Sequence, residues 1–394
     1  MFGLPPSLAY MFWSNFTFAF GMGLYSFLMP AYMRSLGATP VVLGGFFSAM
    51  NLFSTLILIP GGILADRCDR RTMLIVSWFM CVPVPFLWAV ARHWTHLILP
   101  YLLFFGSMFA NAALGAYVAG SCDPKDVGRN YSLTFAAFPL GSVCSPAIGG
   151  WLAAHYSTRA VFYVVGAFFI VSAVLMTRIA PQRPPVHSDG HLTLKGMVTG
   201  IKPRLLWICL AFAVVFALLS VTLNFTTPYL QDVAALPLAQ IGFVSSLGAL
   251  GAALLTALWG RLGDRIGFAN ALSLGLLVFA GSLLLLVRSS LLAWIGLSFI
   301  MRGAGDGVRT LMGAQVGRLS SPEELGRHYA IYNVLTGIGS TIGPYVGGAL
   351  YELGPQRPFT VTAALAVAAA AAALVATRRV SRSLRIGEVD DSGP

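Results

Sequence analysis

The chain has 394 residues, of which 57% are apolar and 10% are charged, and its mean hydropathy is +0.77. About a quarter of the residues of a soluble domain are charged, so this composition excludes an ordinary water-facing surface. The net charge of +11 is high enough for a nucleic-acid partner, and only the placement of the basic residues can decide whether one is needed.

Apolar stretches long enough to cross a bilayer, about 20 residues each, recur along the whole sequence. Only helices or closed barrels satisfy their backbone groups in lipid, and these stretches are too uniformly apolar for alternating barrel strands. The sequence therefore predicts an all-α membrane protein with 12 transmembrane helices. The predicted spans are residues 8–31, 41–63, 72–90, 97–119, 130–154, 160–179, 206–230, 239–260, 268–287, 291–316, 328–351 and 359–377.

The basic residues are distributed unequally between the two sides of the membrane. With the N-terminus in the cytoplasm, 18 of the 25 Lys and Arg residues lie in cytoplasmic segments, 5 lie on the opposite side and 2 lie within a helix. This asymmetry follows the positive-inside rule and predicts a multi-pass protein of the cell (inner or plasma) membrane with both termini cytoplasmic. The positive charge is thus interpreted as a topology signal, and no nucleic-acid partner is predicted.

The cysteines, the histidines and the first apolar span predict no metal site, no cofactor and no cleaved leader peptide. The five cysteines are scattered without paired spacing, and His93 and His96 in a short loop are interpreted as solvated. The first span is expected to be retained rather than cleaved as a signal peptide, because no Lys or Arg precedes it.

An internal repeat relates the two halves of the chain. Asp66-Arg67 returns as Asp264-Arg265, an offset of 198 residues. The same ungapped shift relates Phe18 to Phe216, Pro30 to Pro228, Gly44 to Gly242, Ser48 to Ser246, Gly128-Arg129 to Gly326-Arg327, Pro146 to Pro344, and Gly149-Gly150 to Gly347-Gly348. The repeat predicts two pseudo-symmetric six-helix bundles at 1–179 and 206–377, a cytoplasmic linker at 180–205 and a cytoplasmic tail at 378–394. In such an arrangement one bundle rocks against the other around a site at the membrane midplane.

The loop after the second predicted helix carries a recognisable motif, which begins at Gly62 and continues through Asp66, Arg67, Asp69, Arg70 and Arg71. It resembles the signature of the major facilitator superfamily, Gly-x-x-x-Asp-Arg-x-Gly-Arg-Arg/Lys, with Asp69 at the second glycine position. A second copy contains Gly260, Asp264, Arg265 and Gly267. We expect a left-handed turn at residues 69 and 267, because glycine and aspartate tolerate positive φ. Asp66 is expected to hold a cytoplasmic gate shut by accepting hydrogen bonds; a solvated basic loop is the alternative.

A second motif lies on the fifth and eleventh predicted helices. It consists of Gly141, Pro146, Gly149 and Gly150, and of Gly343, Pro344, Gly347 and Gly348. The fifth-helix copy is similar to the antiporter motif of drug-efflux members of the superfamily, with Ser145 where glycine is usual. Such residues predict a kinked helix with a smooth face that packs closely and prevents leakage between the bundles. Ordinary small-residue helix packing is the alternative.

Three charges on the tenth predicted helix break the repeat. Arg302, Asp306 and Arg309 correspond to Phe104, Met108 and Asn111, and they fall within about 60° of one another on one helical face. An ionisable group at this depth costs several kcal/mol unless it faces a cavity or a partner. The family resemblance implies a cavity lined by helices 1, 4, 7 and 10. Asp306 is therefore predicted to couple protons, with the two arginines tuning its proton affinity or binding a substrate anion; a purely structural cluster is the alternative.

Asn15, Asn111 and Asn224 are further polar candidates for substrate contact at membrane depth. The sequence predicts secondary active transport by alternating access, with proton-coupled export of a small amphipathic compound. The first alternative is uptake or exchange of an anionic metabolite through Arg302 and Arg309, and the second is a non-transporting sensor. An enzyme is not predicted, since no catalytic motif is present. The expected partners are a small-molecule substrate, the bilayer and protons, and the protein is expected to be a monomer.

Overall fold

The computed structural model describes residues 3–123, 125–182, 203–321 and 324–390, without the side chains of Asp66, Arg204 and residues 376–390. Most of the predicted linker therefore lies outside the described residues. All regular elements of the described chain are helices. In the first half they are α1 (Pro6–Tyr25), α2 (Met29–Ser35), α3 (Pro40–Arg67), α4 (Arg70–Cys81), α5 (Pro83–Ala89), α6 (Ile98–Gly106), α7 (Asn111–Gly120), α8 (Val127–Phe135), α9 (Ala137–His155) and α10 (Thr158–Met176).

The second half contains α11 (Pro203–Ser220), α12 (Thr226–Asp232), α13 (Leu238–Ile266), α14 (Phe268–Arg288), α15 (Leu292–Arg302), α16 (Ala304–Arg318), α17 (Leu325–Leu353) and α18 (Arg357–Asp390). It has fewer breaks than the first half, because α14 and α17 are continuous where the first half has the pairs α4–α5 and α8–α9. Short 3₁₀ turns at Trp94–Leu97 and Ser107–Ala110 precede and follow α6.

Several predicted spans are broken within the membrane region. In the described residues eight helical stretches are long and apolar enough to cross a bilayer, or nine when α1 and α2, which meet at 44°, are counted as one. The predicted span 8–31 is thus bent rather than straight. The predicted spans 206–230 and 291–316 are interrupted between α11 and α12 and at Gly303, and α17 is rich in Gly, Ser and Thr. These interruptions and polar residues explain why hydropathy and length do not identify those three segments.

Most packing occurs within each half, and two seams join the halves. In the first half α1 packs on α9 and α10, and in the second α14 packs on α18 and α11 packs on α17. The halves meet where α3 contacts α17 and where α9 contacts α13. We call the end formed by residues 36–39, 90–93, 233–237 and 354–356 the distal end, and the opposite end, with residues 68–69 and 177–182, the proximal end.

The contacts in the two seams are related by the 198-residue shift. The backbone N–H of Tyr345 donates to the Ser48 hydroxyl at 3.0 Å, and the N–H of Ala147 donates to the Ser246 hydroxyl at 2.9 Å. Both seams lie toward the distal end. Farther toward the proximal end α3 and α13 pack inside their own halves, as the close approach of Gly61 to the Phe109 carbonyl shows.

Only one seam carries an additional hydrogen bond at its proline. Pro344 has no N–H with which to bond the Ser340 carbonyl four residues earlier in α17. The Nδ2 group of Asn51 donates to that carbonyl at 3.2 Å. The repeat-related residue of α13 is Ala249, which has no side-chain donor. The α3–α17 seam is therefore the more polar of the two.

Candidate functional site

The charged face of α16 begins at a break that brings it close to α13. A Cβ atom built on Gly303 would lie 2.4 Å from the backbone nitrogen of Ala252, so no other residue fits between the two helices there. The Gly303 N–H bonds back to the Ile300 carbonyl at 3.1 Å and closes the short turn between α15 and α16. Glycine at this position thus fixes the helices that carry Arg302 and Asp306.

Arg302 bonds to hydroxyl groups at the break between α11 and α12. Its guanidinium donates to the Thr222 hydroxyl at 3.0 Å and also to the Thr226 hydroxyl. The Thr226 hydroxyl in turn donates to the Thr222 carbonyl at 2.9 Å. The arginine therefore connects the two broken segments of the second half, which the sequence prediction did not anticipate.

Asp306 pairs with Arg309 rather than with both arginines. The Oδ1 atom of Asp306 lies 2.9 Å from Nη1 of Arg309, and the Asp306 side chain is 48% exposed although it lies in the middle of the predicted span. The Arg309 guanidinium also lies over the Phe216 ring, 5.6 Å from its centroid. The Tyr332 hydroxyl donates to the Arg309 carbonyl at 3.4 Å. The predicted three-charge cluster is thus divided into an arginine bound to threonines and a partly exposed ion pair beside an aromatic ring.

The three candidate asparagines lie in different surroundings. Asn15 in α1 is completely buried, and within the described part of the chain neither of its amide atoms has a hydrogen-bond partner. Asn111 is exposed at the start of α7, where its Nδ2 lies 3.5 Å from the Met108 sulfur. Asn224 is half-buried in the turn between α11 and α12, next to the threonines that hold Arg302. Of these three, Asn224 is the nearest in sequence to the bonds made by Arg302.

Aromatic residues of α1 divide between the core and the surface. Phe18 stacks on Phe169 with ring centroids 4.6 Å apart and also contacts Trp78 and Phe104. Trp13, on another face of α1, is 38% exposed. The aromatic residues of this helix therefore supply a packed interior for the first half and two exposed side chains, Tyr10 and Trp13.

The first copy of the loop motif forms hydrogen bonds with the segment that follows α10. The Arg70 guanidinium donates to the Gln182 side-chain carbonyl at 2.9 Å and to the Ala116 carbonyl at 3.2 Å. Arg71 donates to the Thr177 carbonyl at 2.8 Å. Gln182 was not a sequence candidate, because only the folded chain brings it beside a loop more than 100 residues earlier.

Asp69 caps α4 and does not form the left-handed turn that we expected. Its φ is −58°, and its carboxylate accepts from the Thr72 N–H at 2.9 Å and from the Gln182 N–H at 2.9 Å. Because the side chain caps the helix, the backbone needs no positive φ, whereas Gly267 in the second copy has φ +83°. Burial alone would raise the pKa of Asp69, but these hydrogen bonds and the charge of Arg71 hold it below its ordinary value.

The second copy of the motif makes an ion pair within its own half. Asp264 at the proximal end of α13 pairs with Arg318 at the end of α16. Arg318 was counted only as a topology signal in the sequence, although it ends the helix that carries Asp306. Gly62 has open space around it, so its role does not require close packing.

The Gly-Pro motifs serve two kinds of contact. Within each half the first glycine of each Gly-Gly pair approaches the backbone at or just beyond the end of the first helix, as Gly149 does toward Leu24 and Gly347 toward Val221. Between the halves, a Cβ built on Gly150 would lie 2.5 Å from the Leu238 carbonyl oxygen. The equivalent distance from Gly348 to the Pro40 carbonyl oxygen is also 2.5 Å. Of the remaining members, Gly141 packs against α1 and Gly343 packs against α11. Pro146 contacts α13 and Pro344 contacts α3.

Residues 11–238 and 208–391 match the sequence family described as Major Facilitator Superfamily. The chain belongs to the Major Facilitator Superfamily. It is therefore a multi-span membrane protein that acts as a secondary transporter of small molecules, and it is not an enzyme.

Relatives of this superfamily member include multidrug-resistance proteins. Multidrug resistance protein MdtG of Salmonella arizonae is 29% identical over 361 residues, which cover 85% of this chain and 86% of that protein. MdtG of Proteus mirabilis is 28% identical over 353 residues, which cover 83% and 84% of the two chains. These relatives extend over both halves of the transporter.

Solved structures share the fold at low identity. The nucleoside transporter NupG superposes with a TM-score of 0.81 at 14% identity, covering 93% of this chain and 99% of that one. A POT family transporter in complex with 5-aminolevulinic acid has a TM-score of 0.77 at 13% identity, with coverages of 96% and 98%. The human organic anion transporter MFSD10 has a TM-score of 0.64 at 17% identity, with coverages of 93% and 99%.

Proposed function

We propose that this superfamily member exports a small amphipathic compound in exchange for protons, with Asp306 as the proton-binding group. The partly exposed Asp306–Arg309 pair carries the proposal, because an ion pair at membrane depth is stable only beside water or a polar partner. The neighbouring Phe216 ring supplies an apolar wall for an amphipathic substrate. The distant relatives named multidrug resistance protein MdtG support export as the direction.

The exposed stripe of α16 is assigned to a central cavity. One side of α15 and α16 is covered by α13 and α14, and another side contacts Thr222 at the break after α11 and Tyr332 of α17. The open side that carries Asp306 then faces the first half, where exposed Asn111 occupies the position related to Arg309 by the repeat. Protonation of Asp306 would release Arg309, which changes both the charge and the shape of this wall.

The contacts of the arginines favour this function over anion uptake. Arg302 is held by two threonines, and Arg309 is neutralised by Asp306 and lies on an aromatic ring. The donors of Arg302 are thus directed to neutral hydroxyls and the charge of Arg309 is offset by a carboxylate, so the two guanidinium groups do not form the joint anion site that this alternative requires. The presence of two seams between the halves and of two copies of the loop motif also favours transport over a sensor role.

Transport in proteoliposomes with an imposed pH gradient tests the assignment of Asp306. With ethidium as a lipophilic cation and carboxyfluorescein as an organic anion, we expect gradient-driven flux of ethidium by the wild type. Asp306→Asn should lose at least ten-fold of the gradient-driven flux, because the amide binds no proton at these pH values, while exchange without a gradient continues. The exposed loop variant Asp126→Asn serves as the matched control and should behave as the wild type.

Two results would contradict the proposal. If Asp306→Asn transports ethidium with unchanged dependence on the gradient, Asp306 is not the coupling group. If carboxyfluorescein alone is transported, the anion alternative replaces amphipathic export.

We further propose twelve crossings with both termini in the cytoplasm and domain boundaries at residues 179, 206 and 377. The interrupted pairs α11–α12 and α15–α16, together with α17, supply the three crossings that length and hydropathy leave out. The positive-inside distribution supports the orientation, and it makes the proximal end cytoplasmic. A fluorescent protein fused after Pro394 should fluoresce and a fused alkaline phosphatase should be inactive; an active phosphatase would reverse the orientation.

A further inference from the structure

A three-residue contact joins the halves at the distal end. Arg34 near the end of α2 forms an ion pair with Asp232, the last residue of α12. The Tyr351 hydroxyl of α17 donates to the same carboxylate oxygen at 2.8 Å. The Arg34 guanidinium carbon lies 5.8 Å from the centroid of the Tyr351 ring. One arginine of the first half thus contacts both an acid and an aromatic ring of the second.

The internal repeat gives this contact a special position. Arg34 and Asp232 are separated by 198 residues, the offset of the duplication itself. Two equivalent positions can touch each other only next to the axis that relates the two halves. Identical charges at both positions would repel there, and this chain has opposite charges instead. The position related to Tyr351 is Ala153, so the aromatic part of the contact exists on one side only.

The contact joins segments that lie beyond breaks in their helices. Arg34 follows the 44° bend between α1 and α2, and Asp232 follows the break between α11 and α12. The two side chains are 31% and 36% exposed, so the ion pair is partly screened by water and is weak by itself. The Tyr351 hydroxyl and ring add a second hydrogen bond and a cation–π contact to the same two groups. A path from the cavity to the distal side requires α2 to separate from α12, and this separation breaks both interactions of Arg34, the ion pair with Asp232 and the contact with the Tyr351 ring.

We propose that Arg34, Asp232 and Tyr351 form a latch that holds the distal end closed and sets the ratio of distal-closed to distal-open molecules. The latch acts on the conformational equilibrium and is independent of which compound the cavity binds. It stabilises the state in which the halves contact each other along the distal seams. A substrate that favours the distal-open state must overcome the latch by its differential affinity for the two states.

Distance measurements between spin labels test the latch without any substrate. Labels at Arg92→Cys and Gln356→Cys, exposed on distal loops of different halves, are placed in a full-length chain whose native cysteines are replaced by serine. Arg34→Gln and Asp232→Asn should each raise the ratio of the long-distance to the short-distance population about five-fold, which corresponds to about 1 kcal/mol. The charge-exchanged pair Arg34→Asp with Asp232→Arg should return the ratio to within about two-fold of the wild type.

Two further variants separate the latch from general surface effects. Arg288→Gln removes an exposed arginine at the same end outside the latch and should leave the ratio unchanged. Tyr351→Phe keeps the ring and removes the hydroxyl that holds the Asp232 carboxylate in place for Arg34, so it should raise the ratio about two-fold, and it remains measurable if a charge variant does not fold. Unchanged distances in the single charge variants would overturn the latch. A shift in the single variants that the exchanged pair does not restore would also overturn it, since packing rather than charge pairing would then be responsible.

Discussion

Valine at Gly150 or Gly348 is expected to reduce transport at least ten-fold, because each glycine lies where backbones of different halves touch. A Cβ atom at Gly150 would lie 2.5 Å from the Leu238 carbonyl oxygen and 2.9 Å from the Cα atom of Gly242. These are backbone atoms, so no side-chain rotation can relieve the clash. The two helices would have to separate, and the distal end would then close incompletely in every cycle.

The effect at Gly348 is expected to be similar, because the repeat gives it the same environment. A Cβ atom at Gly348 would lie 2.5 Å from the Pro40 carbonyl oxygen and 3.1 Å from the Cα atom of Val41. Gly326 of the same helix α17 and its repeat partner Gly128 in α8 have nothing within 4 Å of a built Cβ. Valine at these two positions makes the same change in helix propensity without the clash, and it therefore serves as the matched control.

Flux measurements in proteoliposomes, together with the distance between distal spin labels, check this expectation. The seam variants should show slow flux and an enlarged distal-open population, and the control variants should show neither. Wild-type flux in Gly150→Val and Gly348→Val would mean that the halves do not need this close approach during transport.

The Gly-Pro motifs show how far sequence reasoning extends. The constant 198-residue shift and the small residues of the fifth and eleventh predicted helices predicted close helix packing, and the structure places Gly150 and Gly348 in contact with the other half. The bond from Asn51 to the Ser340 carbonyl was not predictable, because nothing in the chain indicates which helix lies beside the carbonyl that Pro344 leaves free. Local geometry can be read from residue types, whereas the choice of partner depends on the fold.

The helix breaks mark a second limit of sequence reasoning. Hydropathy located the apolar segments, but two of these segments are interrupted, at residues 221–225 and at Gly303. Hydropathy averaged over a span-length stretch does not change at these positions, so it does not reveal the breaks. The spacing of Arg302, Asp306 and Arg309 predicted one charged face. It did not predict that Arg302 would bond to Thr222 and Thr226, which are 80 and 76 residues away. The division of the charges into a threonine-bound arginine and an ion pair therefore required the structure.

Replacement of Arg302 by methionine is expected to lower transport about ten-fold while leaving its pH dependence unchanged. The arginine donates to hydroxyls of both Thr222 and Thr226 and so connects α15 to the break between α11 and α12. Hydrogen bonds to a charged group contribute about 1.5–3 kcal/mol each, and methionine fills a similar volume without making them. The two broken segments would then move independently, and the wall that carries Asp306 would lose its fixed position.

Lysine at position 302 separates the bonds from the charge. A single ammonium group reaches one hydroxyl at a time, whereas the guanidinium fork reaches both, so Arg302→Lys should recover only about a third of the lost flux. Asn224 lies in the same turn, and its replacement by alanine leaves both threonine bonds in place. The flux of this variant therefore shows what a substitution in the turn does while the bonds to Arg302 remain.

The pH profile of flux distinguishes positioning by Arg302 from coupling by Asp306. If Arg302 only positions the two breaks, Arg302→Met lowers the rate equally at every pH, and Asp306→Asn alone removes the dependence on the proton gradient. A pH profile of Arg302→Met that matches that of Asp306→Asn would instead place Arg302 in the proton-binding group itself. Full flux in Arg302→Met would show that the threonine bonds are dispensable, and that the ion pair with Arg309 is enough to position Asp306.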